Sequence, residues 1–131
     1  MACPDCGGEE LAFPVSATLR EYLPDDRAAA AVCRRCLRVR PADDAPANLP
    51  DFETVSDAFP ADRETAAALV VALTLLDSLA LYREELDALL ARVERAGVDP
   101  LLVLDRLARD PHLEPHLDLD RRRRQLEQLL S

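Results

Sequence analysis

The sequence predicts an α+β protein that is mainly helical, with a small N-terminal region held by four cysteines and then a bundle of about four helices. All four cysteines of the 131-residue chain lie in its first third. Beyond residue 60, apolar residues recur at the spacing of helical faces. The chain is 49% hydrophobic but only 4% aromatic. Its core must therefore consist of Leu, Val and Ala, which helices pack more readily than strands do.

The cysteine-bearing part of the chain, residues 1–41, contains signals for several short elements. Ser16 is a typical N-cap residue, and the Pro-Asp-Asp sequence that starts at Pro24 is typical of a turn. The elements expected around these two signals are a strand over residues 10–15, a brief helix over 18–23, a lead-in to the second cysteine pair over 27–32 and a strand over 37–40.

The rest of the chain begins with a connector and continues as helices. Residues 41–50 hold three prolines and two acids, which is typical of an extended linker. Asp62 and Asp99 can cap helices, Pro100 suits a first helical position, and Gly97 suits a helix end. The predicted helices cover residues 62–79, 82–96, 100–109 and 118–130.

These elements predict three parts: residues 1–41 as the cysteine-bearing unit, residues 42–60 as a proline-rich acidic connector, and residues 61–131 as the helical bundle. Residues 1–41 carry as many arginines as acids, so the net charge of −9 belongs to the rest of the chain.

The cysteines form two Cys-x-x-Cys pairs, Cys3/Cys6 and Cys33/Cys36. Each pair can form a tight turn, called a knuckle, that aims two sulfurs at one point, and two knuckles together suit tetrahedral ligation of a metal ion. Zinc favours four thiolates in a closed structural site. A segment of about 40 residues cannot bury enough apolar surface to fold alone, so the metal would supply that free energy.

The first knuckle, Cys3-Pro4-Asp5-Cys6-Gly7, resembles the Cys-Pro-x-Cys-Gly knuckle of the zinc-ribbon superfamily. This resemblance covers about a third of the chain. It implies a small antiparallel sheet, with the four cysteines as ligands of a structural zinc ion. The second knuckle departs from the pattern, because Leu37 stands where a glycine is usual, and we expect a less regular turn there.

The whole chain also resembles an uncharacterised haloarchaeal family of zinc-ribbon proteins, through the stretches REYLPDD, VSDAFPAD and DLDRRRRQLEQLL. That resemblance implies no function. Three other uses of the cysteines stay open beside zinc. Rubredoxin holds iron with two knuckles, but its second knuckle also carries glycine and its site is ringed by aromatic residues. A thioredoxin-like redox pair would need a βαβ pattern, which this sequence lacks. A pair of disulfides is disfavoured in a reducing cytosol.

Four arginines flank the second knuckle with no acid between them: Arg34, Arg35, Arg38 and Arg40. As a functional feature they predict a contact surface for phosphate or for an acidic partner. The competing interpretation, which we favour, is structural. A zinc tetrathiolate carries a charge of about −2, and neighbouring cations stabilise it.

Two further clusters are interpreted as surface features. The run Arg121 to Arg124 points in four directions on a helix, and Asp118, Asp120 and Glu127 can pair with it at helical spacings. His112 and His116 lie four residues apart, but prolines interrupt the helix that would align them as ligands. We expect both histidines on a surface loop.

The segment from Ala66 to Leu76 has a single polar side chain, Thr74. A helix that is apolar all round must be buried all round. We favour the interior of the bundle as its position, and a homodimer that packs through this helix is the alternative.

The overall charge comes from 25 acids and 16 basic residues, and every basic residue is Arg. Surplus carboxylates and no lysine are typical of cytosolic proteins of salt-in archaea, and an acidic protein from a GC-rich genome is the alternative. The chain opens without a secretory signal pattern, and no uncharged run approaches the ~20 residues of a membrane helix. We therefore expect a halophilic, cytoplasmic protein that contacts no membrane.

Motifs for catalysis are absent from the sequence. The three glycines form no phosphate-binding loop, and no serine lies in a nucleophile motif. We predict that the protein is not an enzyme but a protein-interaction adaptor or accessory subunit with a protein partner. A nucleic-acid-associated factor in transcription or translation, using the Arg-rich second knuckle, is the first alternative, and a rubredoxin-like electron carrier is the second.

Overall fold

The computed structural model describes residues 2–130, with Leu130 described by its backbone alone. The N-terminal part forms a three-stranded sheet, and the C-terminal part forms four helices of ten or more residues. The cysteine cluster lies at the N-terminal end of the chain. The predicted fold class, α+β and mainly α, is therefore confirmed.

The sheet consists of β1 (Glu10–Pro14), β2 (Ala29–Cys33) and β3 (Val39–Pro41), in that order and antiparallel throughout. Glu10 lies opposite Cys33 in the register. The central strand, β2, lies where the sequence predicts only a lead-in to the second cysteine pair. Its run of alanines has little preference for strands, and it becomes a strand because it is almost completely buried between its two neighbours.

Four long helices form the rest of the chain: α2 (Arg63–Leu76), α3 (Arg83–Arg95), α4 (Pro100–Arg109) and α5 (Leu119–Leu130). A short helix, α1 (Ala17–Arg20), follows β1, and a single 3-10 turn (Phe52–Thr54) precedes α2.

The predicted caps explain where the long helices begin and end. The Asp62 carboxylate accepts from the backbone N–H of Thr65, and Asp99 accepts from Leu101 and Leu102. Gly97, with φ +90°, follows α3 in the left-handed conformation that ends helices.

Three predicted boundaries differ from the structure by two or more residues. The brief helix expected over residues 18–23 ends at Arg20. The first long helix was expected to reach residue 79 but ends at Leu76, where a turn leads to α3. The strand expected from residue 37 begins at Val39, because Leu37 has φ +64° and cannot extend a strand.

The sheet and the helices share one continuous core. Phe13 of the sheet packs edge-on against Phe52, with ring centroids 5.3 Å apart, and Phe52 in turn lies 6.3 Å from Phe59. The same cluster of buried side chains includes Val32 of β2 and continues through α2, α3, α4 and α5. The division into three parts stays a prediction.

Helix α2 is the central helix of this core. Every residue from Ala66 to Leu76 is buried except Thr74, whose hydroxyl donates to the carbonyl of Val70. The single chain therefore covers this helix on all sides, which leaves little apolar surface on it for a second molecule. The homodimer through this helix stays an untested prediction.

None of the helices described in residues 2–130 is both long enough and apolar enough to cross a membrane.

The packing of the core predicts that truncating two leucines of the α2–α3 region will have very different effects on stability. Leu89 is fully buried, whereas Leu81 is 72% exposed. Leu89→Ala should lower the free energy of unfolding by about 2–5 kcal/mol because it leaves a cavity, and Leu81→Ala should change it by less than about 0.5 kcal/mol. Chemical denaturation of both variants at one fixed salt concentration measures the difference. Equal losses would contradict the packing of α3 described above.

Candidate metal centre

The four cysteines converge although 26 residues separate the two pairs. All four sulfurs lie within 4.8 Å of one another. The Sγ atoms of Cys3 and Cys36 are 3.8 Å apart, and those of Cys6 and Cys33 are 3.4 Å apart. A tetrahedron of thiolates around zinc, with Zn–S bonds of ~2.3 Å, has edges of ~3.8 Å. A disulfide needs ~2.05 Å, and all four cysteines are free. The arrangement therefore fits one metal ion.

The first knuckle is closed by backbone hydrogen bonds between Cys3 and the glycine pair. Gly7 donates to the carbonyl of Cys3 (2.8 Å), and Cys3 donates to the carbonyl of Gly8 (2.7 Å). Gly7 has φ +77°, a conformation that glycine adopts without the steric cost of a side chain. The N–H of Gly8 donates to Sγ of Cys6 at 3.4 Å, which stabilises a thiolate.

The second knuckle keeps the same turn without a glycine. Leu37 takes the left-handed conformation, with φ +64°, and donates to the carbonyl of Cys33. The strain of about 1 kcal/mol is offset because the Leu37 side chain is buried in the main core. Sγ of Cys33 accepts from the backbone N–H groups of Arg35 and Cys36, each at 3.4 Å. The expected irregularity is thus confined to one strained residue.

The thiols differ in how readily they ionise. The backbone N–H of Gly8, helped by Cys33, lowers the pKa of Cys6 to about 7. Burial raises the pKa of Cys33, and it raises the pKa of Cys36 to about 12. A buried thiol resists ionisation until a cation compensates for the lost hydration. The second knuckle therefore supplies two buried thiols, Cys33 and Cys36, whose ionisation a bound metal ion would favour, and Cys6 supplies a partly exposed one that ionises more readily.

The arginines predicted as a partner surface all have contacts within the chain. The guanidinium of Arg34 donates to the carbonyl of Thr54 at 3.3 Å, and that of Arg35 donates to the carbonyl of Cys6 at 3.2 Å. Arg38 lies 2.9 Å from the Asp5 carboxylate. These three contacts tie the second knuckle to the first and to the 3-10 turn.

Arg40 has the most structural contact of the four. It holds the Glu10 carboxylate with two hydrogen bonds, of 2.7 and 2.5 Å, and the Glu10 side chain is only 1% exposed. Hydrogen bonding to Glu10 raises the pKa of Arg40. Without this partner the carboxylate would be buried and unpaired, which is costly. These contacts favour the structural interpretation of the arginines, and their role toward a partner stays a prediction.

His116 lies beside the second knuckle, a position that the sequence does not predict for it. Its backbone N–H donates to the carbonyl of Cys36 (2.9 Å), and its Nδ1 lies 2.9 Å from the same oxygen. Nε2 lies 3.2 Å from the carboxylate of Asp77, at the end of α2. The N–H of Glu114 donates to the carbonyl of Arg35 at 2.7 Å. The connector between α4 and α5 therefore binds the second knuckle.

The expectation that both histidines lie on a surface loop is correct for His112, which is exposed, and wrong for His116, whose side chain is only 10% exposed. Neither histidine joins the four sulfurs in the potential metal cluster of the described residues. The sequence carried no signal for this contact, because the two copies of the acid-Pro-His-Leu repeat look alike.

Two of the four arginines in the run on α5 pair with the acids predicted for it, and Arg122 instead donates to Gln125. Arg123 contacts Asp120 (3.1 Å) and Glu127 (2.7 Å), and Arg124 also contacts Asp120. Hydrogen bonding to Arg123 lowers the pKa of Asp120. This cluster lies on a helix surface and takes no part in the cysteine site.

Gly8 provides a test of the close approach of the two knuckles. A Cβ added there would lie 2.9 Å from Cβ of Arg35 and 3.0 Å from Sγ of Cys33. Gly8→Ala should therefore push the knuckles apart and weaken the affinity for a divalent metal by about 10-fold or more, measured by competition with a chromophoric chelator. Gly7→Asn is the control, because nothing lies within 4 Å of a Cβ there and Asn tolerates a positive φ. Equal affinities for the two variants would contradict the described packing.

Comparison with known proteins gives one result. No curated protein and no solved structure matches the chain. A family model described as "Family of unknown function (DUF6276)" matches residues 2–130, and no zinc-ribbon family model matches. The chain belongs to the DUF6276 family.

Proposed function

We propose that the four cysteines hold one structural zinc ion and that the protein is a non-catalytic, zinc-ribbon-like protein of the cytoplasm. The observation that carries this proposal is the convergence of four free sulfurs within 4.8 Å of one another. Four protein sulfurs complete a tetrahedral shell and leave no position for water or substrate. Such a site stabilises a fold and performs no chemistry of its own.

Zinc is preferred over iron because of what surrounds the sulfurs. In the described residues, the phenylalanine rings belong to the main core, and the cluster around the sulfurs consists of the cysteines themselves. A rubredoxin-like electron carrier would place aromatic rings against the metal. The third function considered from the sequence, electron transfer, therefore has the least support.

The proposed role of the protein is that of an adaptor or accessory subunit with a protein partner. Because a closed metal site binds no substrate, the function of the protein would come from contacts made by its surface. Two large apolar side chains are exposed on the described surface, Leu81 (72%) and Leu102 (54%). Single exposed leucines are common on protein surfaces, so the contact of these two with a partner is a proposal that the capture experiment below tests.

A nucleic-acid-associated factor is the second candidate, and the arginines of the second knuckle are its support. Arg34 and Arg35 each use one N–H group on a backbone carbonyl and keep others for phosphate. In the molar salt proposed for this protein the Debye length is ~3 Å, so binding through charge alone would be weak. The adaptor function is therefore preferred.

Metal content tests the zinc assignment. The protein from cells grown with both zinc and iron should be colourless and hold about one zinc ion per chain by mass spectrometry of the metals. Cys36→Ser should lose the metal and lower the thermal midpoint by at least about 10 °C, because metal binding supplies folding free energy. Ala80→Ser, at an exposed position, is the control and should keep both properties. A red, iron-loaded protein would support electron transfer, and a stable protein without metal would refute the site.

Affinity capture from native extract, with and without nuclease, tests the adaptor function. Protein partners should survive nuclease, and Leu81→Ser combined with Leu102→Ser should reduce their recovery several-fold, because the exposed apolar contact is lost. Ala80→Ser is the matched control. Partners lost with nuclease, and lost again in Arg34→Gln/Arg35→Gln, would favour the nucleic-acid function instead. Arg40 must stay unchanged in that variant, since its removal would leave Glu10 buried and unpaired.

A further inference from the structure

A cleft at the end of β1 that lies away from Cys33 has the features of an anion site. It has a volume of about 640 Å³ and lies between the end of β1, helix α1, the proline-rich connector and the first turn of α2, with Arg92 of α3 at its wall. None of its lining residues is a cysteine. Its volume falls in the range of small-molecule sites, about 300–1,000 Å³.

Three arginines from three separate elements line this cleft, which we call the arginine cleft: Arg20, Arg63 and Arg92. Each is held by one hydrogen bond to an oxygen of the chain. Nε of Arg20 donates to the carbonyl of Val15 at 3.0 Å. Arg63 donates to the carbonyl of Leu49 at 2.9 Å, and Arg92 donates to Oγ1 of Thr18 at 3.2 Å. These bonds restrict the arginine side chains, so less conformational entropy would be lost when a ligand binds.

The donors that remain are suited to oxyanions. In Arg20 the donor of this bond is Nε, so the N–H groups of the two terminal nitrogens, Nη1 and Nη2, remain for a ligand. In Arg63 and in Arg92 the donor of this bond is Nη1, so the N–H groups of Nε and Nη2, on one edge of the guanidinium, remain for a ligand. Each of these pairs of N–H groups matches two oxygens of a carboxylate or phosphate. The hydroxyls of Ser16 and Thr18 also line the cleft.

The cleft arginines place positive charge in a chain whose net charge is −9. Some arginines elsewhere, such as Arg40, form ion pairs, and others, such as Arg34, donate to uncharged oxygens as the cleft arginines do. In the described residues, no carboxylate lies within 4.0 Å of the nitrogens of the three cleft arginines, and Glu64 is the one acid that lines the cleft. The lining of the cleft thus carries three guanidinium groups against one carboxylate.

Apart from Asn48, the rest of the lining is apolar. Val15 and Leu19 are buried beneath the cleft, and Pro14 and Leu49 are partly exposed at its side. Polar and apolar groups together form the type of site that binds a small molecule with an anionic head and an apolar body.

We propose that the arginine cleft binds a small organic oxyanion, a carboxylate or phosphate monoester with an apolar or ring-bearing body, through Arg20, Arg63 and Arg92. This binding site goes beyond the proposed adaptor function and does not depend on it. An acidic peptide is the competing occupant. The small molecule is favoured because all three arginines line one cleft of about 640 Å³, whereas a bound peptide would need an extended track of contacts.

The test uses four probes that separate head group from body: 1-naphthyl phosphate, 1-naphthoate, neutral 1-naphthol and inorganic phosphate. Titrations of the zinc-loaded, isotope-labelled full chain are followed by amide NMR, in the lowest salt at which the dispersed spectrum persists. We expect saturable binding of at least one naphthyl anion, with shifts at Ser16, Thr18 and Asn48. Inorganic phosphate and 1-naphthol should bind at least about 10-fold more weakly. Which naphthyl anion binds more tightly identifies the head group.

Variants test the role of the charges. Arg63→Gln and Arg92→Gln should each weaken binding by about 10-fold, since each removes one charge-assisted pair of donors. Glu64→Gln should tighten binding by about 2-fold. Arg95→Gln is the matched control, because this exposed arginine of α3 lies outside the cleft, and it should leave binding unchanged. A dispersed amide spectrum in each variant excludes loss of folding as the cause.

Three results would overturn the proposal. The first is no saturable binding of either naphthyl anion at millimolar concentration. The second is an equal effect of Arg95→Gln and Arg92→Gln, which would indicate attraction by overall charge alone. The third is saturable binding of hexaglutamate with shifts at the same amides while the naphthyl anions fail to bind, which would make the cleft a peptide-binding site.

Discussion

The pairing of β1 with β2 is the interaction on which the rest of the structure depends. It places Glu10 opposite Cys33, so both cysteine pairs lie at one end of the sheet. The four sulfurs can then meet within 4.8 Å. The cost of closing the long loop between the pairs rises only slowly with its length, and the sheet, the buried Glu10–Arg40 pair and the shared core offset it. A bound metal would add to a geometry that the chain already favours.

The cysteine site also depends on the helices. Leu37 stays in a strained conformation because its side chain is packed in the main core, and the carbonyls of Arg35 and Cys36 accept from the connector between α4 and α5. The second knuckle is therefore held by residues almost 80 positions later in the chain. Loss of the metal and loss of helix packing should therefore affect each other. The metal would hold the cysteines of the second knuckle, and the connector between α4 and α5 holds the carbonyls of the same knuckle.

Much of the fold could be predicted from local signals, and the rest depended on contacts between distant residues. Asp62, Gly97 and Asp99 fixed helix boundaries because capping is local chemistry. The two Cys-x-x-Cys pairs likewise predicted the cluster by their spacing. Strand β2 was missed because burial, not the propensity of its alanines, makes it a strand. The contact of His116 with Cys36 was missed because nothing near residue 116 reports on residue 36.

The arginines show how the same residue type takes two roles in one acidic chain. With 25 acids available, an arginine readily meets a carboxylate, so pairing carries little information. Around the second knuckle, Arg38 and Arg40 pair with acids that the fold has placed beside them, while Arg34 donates to a backbone carbonyl. In the arginine cleft, Arg63 and Arg92 are likewise restrained by uncharged oxygens, and there they line a concave surface. Such restraint positions the donors without neutralising them. Positive charge kept in this way, inside a concavity of a negatively charged molecule, favours binding of an anion that the chain itself does not supply.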